Sequence, residues 1–243
     1  MSPALSAVKI HRVVRKGGVN VEAIIPAAGY GRRLETKTLK PLVKINGKPL
    51  LIHTLLALAK LNLIQKIIIA VNPGGLGKFK RALNPYKIKK EIFLVPGGKT
   101  RRDSVNNCLK HIDKDADFIL VHDAVRPFIS PELITRTIRA AIVNQAAVCA
   151  VPSKSTLKRV TDNYEISETL DRENIWEIQT PQVFKKDALL RAYKKYGRLE
   201  ATDDASLVEK TGIKVKVVQG SYFNIKITTP EDLVFARAIL KGR

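Results

Sequence analysis

The stretch Ile24-Ile25-Pro26-Ala27-Ala28-Gly29-Tyr30-Gly31-Arg32-Arg33, with Lys40 seven residues further on, sets the reading of the whole chain. An apolar strand runs into a turn of small residues, and two arginines and a lysine follow at once. Small residues let the backbone approach a ligand closely, and successive N–H groups can form an anion-binding concavity. Arginine and lysine just beyond would meet the charge of a phosphate chain. The arrangement implies a nucleoside triphosphate site, though neither of the two commonest kinds. A P-loop needs G-x-x-x-x-G-K-[ST], and Gly77-Lys78 is followed here by Phe79. A dinucleotide fingerprint needs a third glycine, where this chain has Leu34.

Outward from that stretch, short β-rich apolar runs alternate with helical patterns. Strands are expected at Val21–Pro26, Ile67–Val71, Ile92–Val95, Phe118–Val121 and Ala147–Val151, and helices at Leu50–Leu61, Leu76–Leu83, Arg101–His111 and Pro131–Asn144. Continuous apolar strands separated by helices imply a Rossmann-like, mostly parallel α/β sheet covered on both faces. Ser130-Pro131-Glu132 and Thr229-Pro230-Glu231-Asp232 carry helix-start chemistry. The rhythm breaks at about Ser153. From there to Val183 the chain alternates in polarity, with a turn at Asp162-Asn163, as a projecting β-hairpin arm would. Val160 and Leu170 on that arm would need a partner surface, and a second subunit is the simplest one. A helix near Asp187–Tyr196, another near Ala205–Thr211, a strand at Val215–Val218 and the final capped helix complete the pattern.

At 243 residues and 27.0 kDa the chain has room for one α/β domain, expected over residues 20–243 after a basic, flexible leader at 1–19. The leader lacks the apolar core of a secretory signal, and no apolar run approaches the roughly 18 residues of a membrane span. Cys108 and Cys149 read as buried free thiols, in keeping with a cytoplasmic location. Lysine and arginine total 43 against 22 acidic residues, a net charge of +21. The lysines are scattered over helices and loops, so the excess reads chiefly as surface decoration that also attracts anionic metabolites. A nucleic-acid-binding protein would gather basic residues and exposed aromatics on one face, and aromatics are only 6% of the chain.

Ligands of open α/β sheets bind beyond the carboxyl ends of the strands. Three polar clusters fall there: Ala27-Ala28-Gly29, then Pro96-Gly97-Gly98-Lys99-Thr100-Arg101-Arg102-Asp103-Ser104, then His122-Asp123-Ala124-Val125-Arg126-Pro127. Singly each has a plain structural reading. Gly97-Gly98 could be a tight turn, Asp103 a helix cap, and His122-Asp123 a locally hydrogen-bonded turn. Their co-location favours a site. No two histidines have metal-ligand spacing.

These motifs resemble the 2-C-methyl-D-erythritol 4-phosphate cytidylyltransferase family over about Val21 to Leu240. The resemblance rests on Pro26-Ala27-Ala28-Gly29-x-Gly31-x-Arg33, Gly97-Gly98-x-x-Arg101-x-Asp103-Ser104 and Val121-His122-Asp123-Ala124-x-Arg126-Pro127. It continues in Asp171-Arg172-x-x-x-Trp176, Thr180-Pro181-Gln182-x-Phe184, Thr202-Asp203-x-Ala205-Ser206 and Asn224-Ile225-Lys226-x-Thr228-x-Pro230-Glu231-Asp232. It implies transfer of CMP from CTP to methylerythritol phosphate with loss of pyrophosphate. It further implies that Arg33 and Lys40 hold the triphosphate, that Arg172 and Lys226 position the attacking phosphate, and that Ala27, Ala28, Gly29, Gly98 and Ser104 hold the cytidine. Asp123, Arg126, Thr156 and Thr202 would contact the sugar phosphate. The family further implies Mg²⁺ held mainly by the CTP phosphates, and a homodimer joined through the arm.

This chain departs from the family pattern in three places. Lys40 lies in Leu39-Lys40-Pro41, as in sugar nucleotidyltransferases, Lys99 stands where an acidic residue near the ribose is common, and Ser155 stands where an aspartate is common. A ribitol 5-phosphate cytidylyltransferase is the nearest alternative, and those relatives tend to carry Ala-Gly-Gly in the first loop. A sugar-1-phosphate nucleotidyltransferase is a more distant one, against which the arm and the Asn224-Ile225-Lys226 block argue.

Overall fold

The computed structural model describes residues 18–29, 31, 34 and 38–242. Most of the expected leader, and Arg33, lie outside the described residues.

β1 (Val21–Ala27), β4 (Ile64–Val71) and β6 (Phe118–Val121) form the centre of the molecule, and almost every residue in them is buried. Successive side chains of a strand face opposite ways, so a strand buried on both sides is apolar over most of its length, and the buried charges of β1 and β4, Glu22 and Lys66, lie within 4.0 Å of each other. Ala23 and Ile25 join one core with α1 (Leu50–Ala59), α2 (Leu76–Leu83) and α4 (Pro131–Asn144). Ile24, between them, joins the other with α3 (Arg101–Leu109), α5 (Lys186–Tyr196) and α6 (Ala205–Glu209). Burying one Ile or Leu is worth roughly 1.5–3 kcal/mol. Truncating Ile68, fully buried in the centre of β4, to alanine would cost about 2–5 kcal/mol.

With β5 (Glu91–Pro96), β7 (Ala146–Pro152), β10 (Trp176–Lys185) and β11 (Lys216–Gln219), these strands form a seven-stranded sheet in the order β11-β7-β10-β6-β1-β4-β5. Pairing is parallel except around β10, which runs antiparallel to both β6 and β7. The carboxyl ends of β1, β4, β5 and β6 therefore share one rim, and the amino-terminal half of β10 reaches the same rim from the other direction. Its ladder with β7 is interrupted between Ile178 and Gln182, which frees the side chains of Gln179 and Thr180 for the loops.

The short hairpin of β2 (Lys44–Ile45) and β3 (Lys48–Pro49) turns on Asn46-Gly47, both at positive φ. α7 (Pro230–Lys241) packs Ala236 with Leu34, Ile45, Val125 and Ile227 in a smaller third core. Of the arm expected over about 153–183, β8 (Leu157–Val160) and β9 (Ile166–Leu170) form the hairpin, turning at Asp162-Asn163, whereas residues 176–183 belong to β10 of the central sheet. Val160 and Ile166 are 49% and 65% exposed on it. Ser130 accepts from Leu133 N, and Thr229 N donates to Asp232 Oδ2, so both expected helix starts are capped.

Candidate active site

The loops that leave the shared rim enclose a cavity of about 810 Å³, within the range of small-molecule sites. Ala27 at the end of β1, with Ala28 and Gly29 beyond it, forms one wall, and Gly97, Gly98 and Ser104 after β5 form another. These walls touch where a side chain is missing. A Cβ on Gly97 would lie 2.2 Å from Ala28 Cβ. Gly98 N donates to Ser104 Oγ at 3.1 Å, and Ser104 Oγ donates to Thr100 O at 3.0 Å, so the serine fastens the loop to the helix start. Asp103 closes a capping box with Thr100, the plain reading of that residue.

Lys40 reaches the cavity from the first turn of a short 3₁₀ helix, Lys40–Leu42. Its stem crosses Gly31, which has φ +67° and no side chain to obstruct it. A Cβ there would lie 2.5 Å from Lys40 Cβ. Lys226 lines the same cavity, and Asn72 and Pro73 after β4 add a stretch of wall without an expected role.

Asp123 is the electrostatic centre. Its Oδ1 accepts from Arg101 Nε at 3.1 Å, while its Oδ2 lies 2.8 Å from Lys226 Nζ and 3.6 Å from Arg126 Nε. Burial alone would raise its pKa, but Arg101, Lys226 and Arg126 outweigh that and hold it far below the ordinary carboxylate range. Arg101 also donates through Nη1 to Asp204 Oδ2 at 2.7 Å. Burial opposes its charge, yet Asp204 and Asp123 together raise its pKa.

The His122 ring is fully buried, and burial pushes it down to about 4, so it is neutral at pH 7. Asp123 N donates to Thr180 Oγ1 at 3.0 Å, which leaves the Thr180 hydroxyl to donate to His122 Nδ1 at 2.9 Å. The ring proton therefore sits on Nε2, which donates to Arg126 O at 3.2 Å. His122 supports the Asp123–Arg126 turn, which Arg126 N closes on Asp123 O at 3.1 Å, and the ring is also held by a partner 58 residues away.

Of the residues given roles by resemblance, Ala27, Ala28, Gly29, Lys40, Gly98, Ser104, Asp123 and Lys226 line this one cavity. Arg126 stands behind the wall, donating through Nη1 to Asn224 O at 2.7 Å. Arg172, Thr156 and Thr202 do not line it. Arg172 Nη1 donates to Lys154 O at the base of the arm, and Thr156 and Thr202 are exposed. Arg33 lies outside the described residues. Arg101 lines the cavity but carried no expected role, because no sequence signal marks its partner 103 residues away. Among the described residues no group of three or more His, Cys, Asp or Glu side chains is placed to hold a metal ion.

A doubly wound sheet with a glycine-walled, lysine-bearing cavity at its strand ends defines an α/β protein suited to an anionic nucleotide. The family model for 2-C-methyl-D-erythritol 4-phosphate cytidylyltransferase matches residues 21–242, and the chain belongs to that family. It is 45% identical over 228 residues to the 2-C-methyl-D-erythritol 4-phosphate cytidylyltransferase of Syntrophus aciditrophicus, covering 91% of this chain and 96% of that one. Among solved structures it is similar to 4-diphosphocytidyl-2C-methyl-D-erythritol synthase from Anaerococcus prevotii, with a TM-score of 0.81, 37% identity and coverage of 92% and 96%. The corresponding cytidylyltransferase from Thermus thermophilus gives a TM-score of 0.77 at 33% identity, covering 92% of this chain and 100% of that one.

Proposed function

We propose that the protein transfers the CMP moiety of CTP to 2-C-methyl-D-erythritol 4-phosphate and releases pyrophosphate. One observation carries the reading: in a chain of this family, Lys40 and Lys226 face one cavity whose other walls are the Ala27–Gly29 and Gly97–Gly98 loops.

In the reaction, an oxygen of the polyol phosphate forms a bond to the α-phosphorus of CTP. The bond from that phosphorus to the bridging oxygen breaks, and the electron pair leaves with pyrophosphate. The nucleophile is already ionised, so no proton needs to be removed. The barrier is repulsion between two anions, their alignment, and the charge gathered on the transferring group. Fixed cations answer all three. Lys40, with Arg33, is assigned to the triphosphate, and Lys226, with Arg172, to the attacking phosphate. Asp123 presents Lys226 and contacts the polyol. Ala27, Ala28, Gly29, Gly98 and Ser104 hold the nucleoside, and Arg126, Thr156 and Thr202 complete the polyol side.

The magnesium ion is taken to enter with CTP as part of the substrate, bound by phosphate oxygens. Asp123, the carboxylate in the cavity wall, is already matched to cations, which fits a metal held by the nucleotide more than by the protein. The exposed Val160 and Ile166 support a homodimer joined through the arm, bringing Thr156 and Arg172 to a neighbouring site. The two free thiols, Cys108 and Cys149, suit a reducing cytoplasm, and no described helix is long and apolar enough to cross a membrane.

Pyrophosphate release should be measured with each nucleoside triphosphate paired with methylerythritol phosphate or ribitol 5-phosphate. The reading requires turnover with CTP and methylerythritol phosphate at least tenfold more efficient than any other pair. Preference for ribitol 5-phosphate would overturn the substrate, and no turnover of CTP with either would overturn the reaction.

A further inference from the structure

The Thr180-Pro181-Gln182 motif and the Thr202–Asp204 segment meet behind the cavity wall. Gln182, 1% exposed, accepts through Oε1 from Asp204 N at 3.2 Å and Ala205 N at 3.1 Å, and donates through Nε2 to Asp203 Oδ2 at 2.7 Å. Both polar atoms of that amide face one short segment. It fixes Asp204, also 1% exposed, with each carboxylate oxygen committed to a different donor. Oδ1 takes the Tyr193 hydroxyl at 2.5 Å, and Oδ2 takes Arg101 Nη1 at 2.7 Å.

Arg101 turns its Nε edge to Asp123, with Nε 3.1 Å from Oδ1. A guanidinium facing a single carboxylate tends to take both oxygens in a fork. Here Asp204 anchors the guanidinium through Nη1 and so fixes its tilt; the Nε–Nη2 edge meets Asp123 through Nε alone, and Asp123 Oδ2 stays with Lys226 at 2.8 Å. We propose that Asp204 is a positioning residue for Lys226: by holding Arg101 from behind, it reserves one oxygen of Asp123 to set the Lys226 ammonium at the cavity wall. The importance of that placement for turnover rests on the reaction proposed above, whereas the placement itself can be read without it.

The test is the rate at which an amine-acetylating reagent modifies Lys226 in the folded protein, mapped by mass spectrometry with Lys99 of the same cavity as internal reference. Asp204→Asn keeps the shape and removes the charge. Lys226 should then label at least threefold faster relative to Lys99, and kcat should fall tenfold or more while KM for CTP changes less than threefold. Tyr193→Phe removes the other partner of Asp204 but leaves Arg101 held. Its stability should fall with no change in Lys226 labelling, which a purely structural role for Asp204 would not separate. Arg101→Gln removes the competitor and should slow labelling below wild type, and it carries the test if Asp204→Asn does not fold. Unchanged labelling in folded Asp204→Asn, or faster labelling in Arg101→Gln, overturns the proposal. Labelling as expected in a protein that never releases pyrophosphate would overturn the reaction and leave the positioning intact.

Discussion

Lys226 Nζ lies 2.8 Å from Asp123 Oδ2, so the cation at the cavity wall is already paired before any substrate phosphate reaches it. The Lys226 side chain is 40% exposed while Asp123 is almost fully enclosed, so the lysine can turn toward an incoming anion and the carboxylate cannot follow. An incoming phosphate therefore shares the lysine with Asp123 rather than displacing a hydrated, freely moving charge. Pre-organised charge of this kind is worth far more in an enclosed site than in water.

Lys226→Ala should lower kcat by at least a hundredfold in steady-state pyrophosphate release, with little change in thermal midpoint. Lys226 itself is partly exposed and Asp123 keeps Arg101 and Arg126, so loss of the lysine costs little stability. A variant that keeps near-normal kcat would remove Lys226 from the chemistry.

Gly31→Ala should act on CTP through Lys40. The new methyl group would meet the lysine stem at 2.5 Å, in a backbone with φ +67° that costs an alanine about 1 kcal/mol. kcat/KM for CTP should fall at least tenfold, against a drop of a few degrees in thermal midpoint. If CTP kinetics are unaffected, Lys40 does not need the path that Gly31 leaves open.

His122 sets a pH dependence whose sign is fixed. Its folded pKa, about 4, lies below the ordinary value of 6.5, so between those limits the unfolded chain binds more protons. Stability from this group is fully present above about pH 6.5 and is lost as pH falls toward 4, by up to about 3 kcal/mol. Urea unfolding of wild type and His122→Gln should show the wild-type advantage narrowing across that window. A constant difference would mean that His122 is not buried in its neutral form.

Asp substitutions at Val160 and Ile166 together should give a monomer by light scattering, and with it a loss of activity, if the arm joins two subunits. These residues are exposed in a single chain, so folding of the chain itself should persist. A dimer that survives both changes would place the subunit contact elsewhere.

The parallel strands were legible because burial on both faces demands unbroken apolar runs, and Ile67–Val71 or Phe118–Val121 can hardly be read otherwise. β10 was not. Its Gln179, Thr180 and Gln182 face loops rather than core, so Trp176–Lys185 mimics a polar connector although it joins the central sheet. The glycine loops announced themselves through residue size, since close approach excludes side chains at Gly97 and Gly31. What holds Asp123 could not be read, because Arg101 is committed to a carboxylate 103 residues distant and Thr180 serves a histidine 58 residues before it. Local spacing carries no trace of such pairings.

The most direct measurement is a crystal structure with a non-hydrolysable CTP analogue and methylerythritol phosphate. The account predicts the cytosine and ribose against Ala27–Gly29 and Gly98, the triphosphate against Lys40, and the polyol phosphate within hydrogen-bond distance of Lys226. Nucleotide bound away from this cavity, or a polyol phosphate out of reach of Lys226, would contradict it.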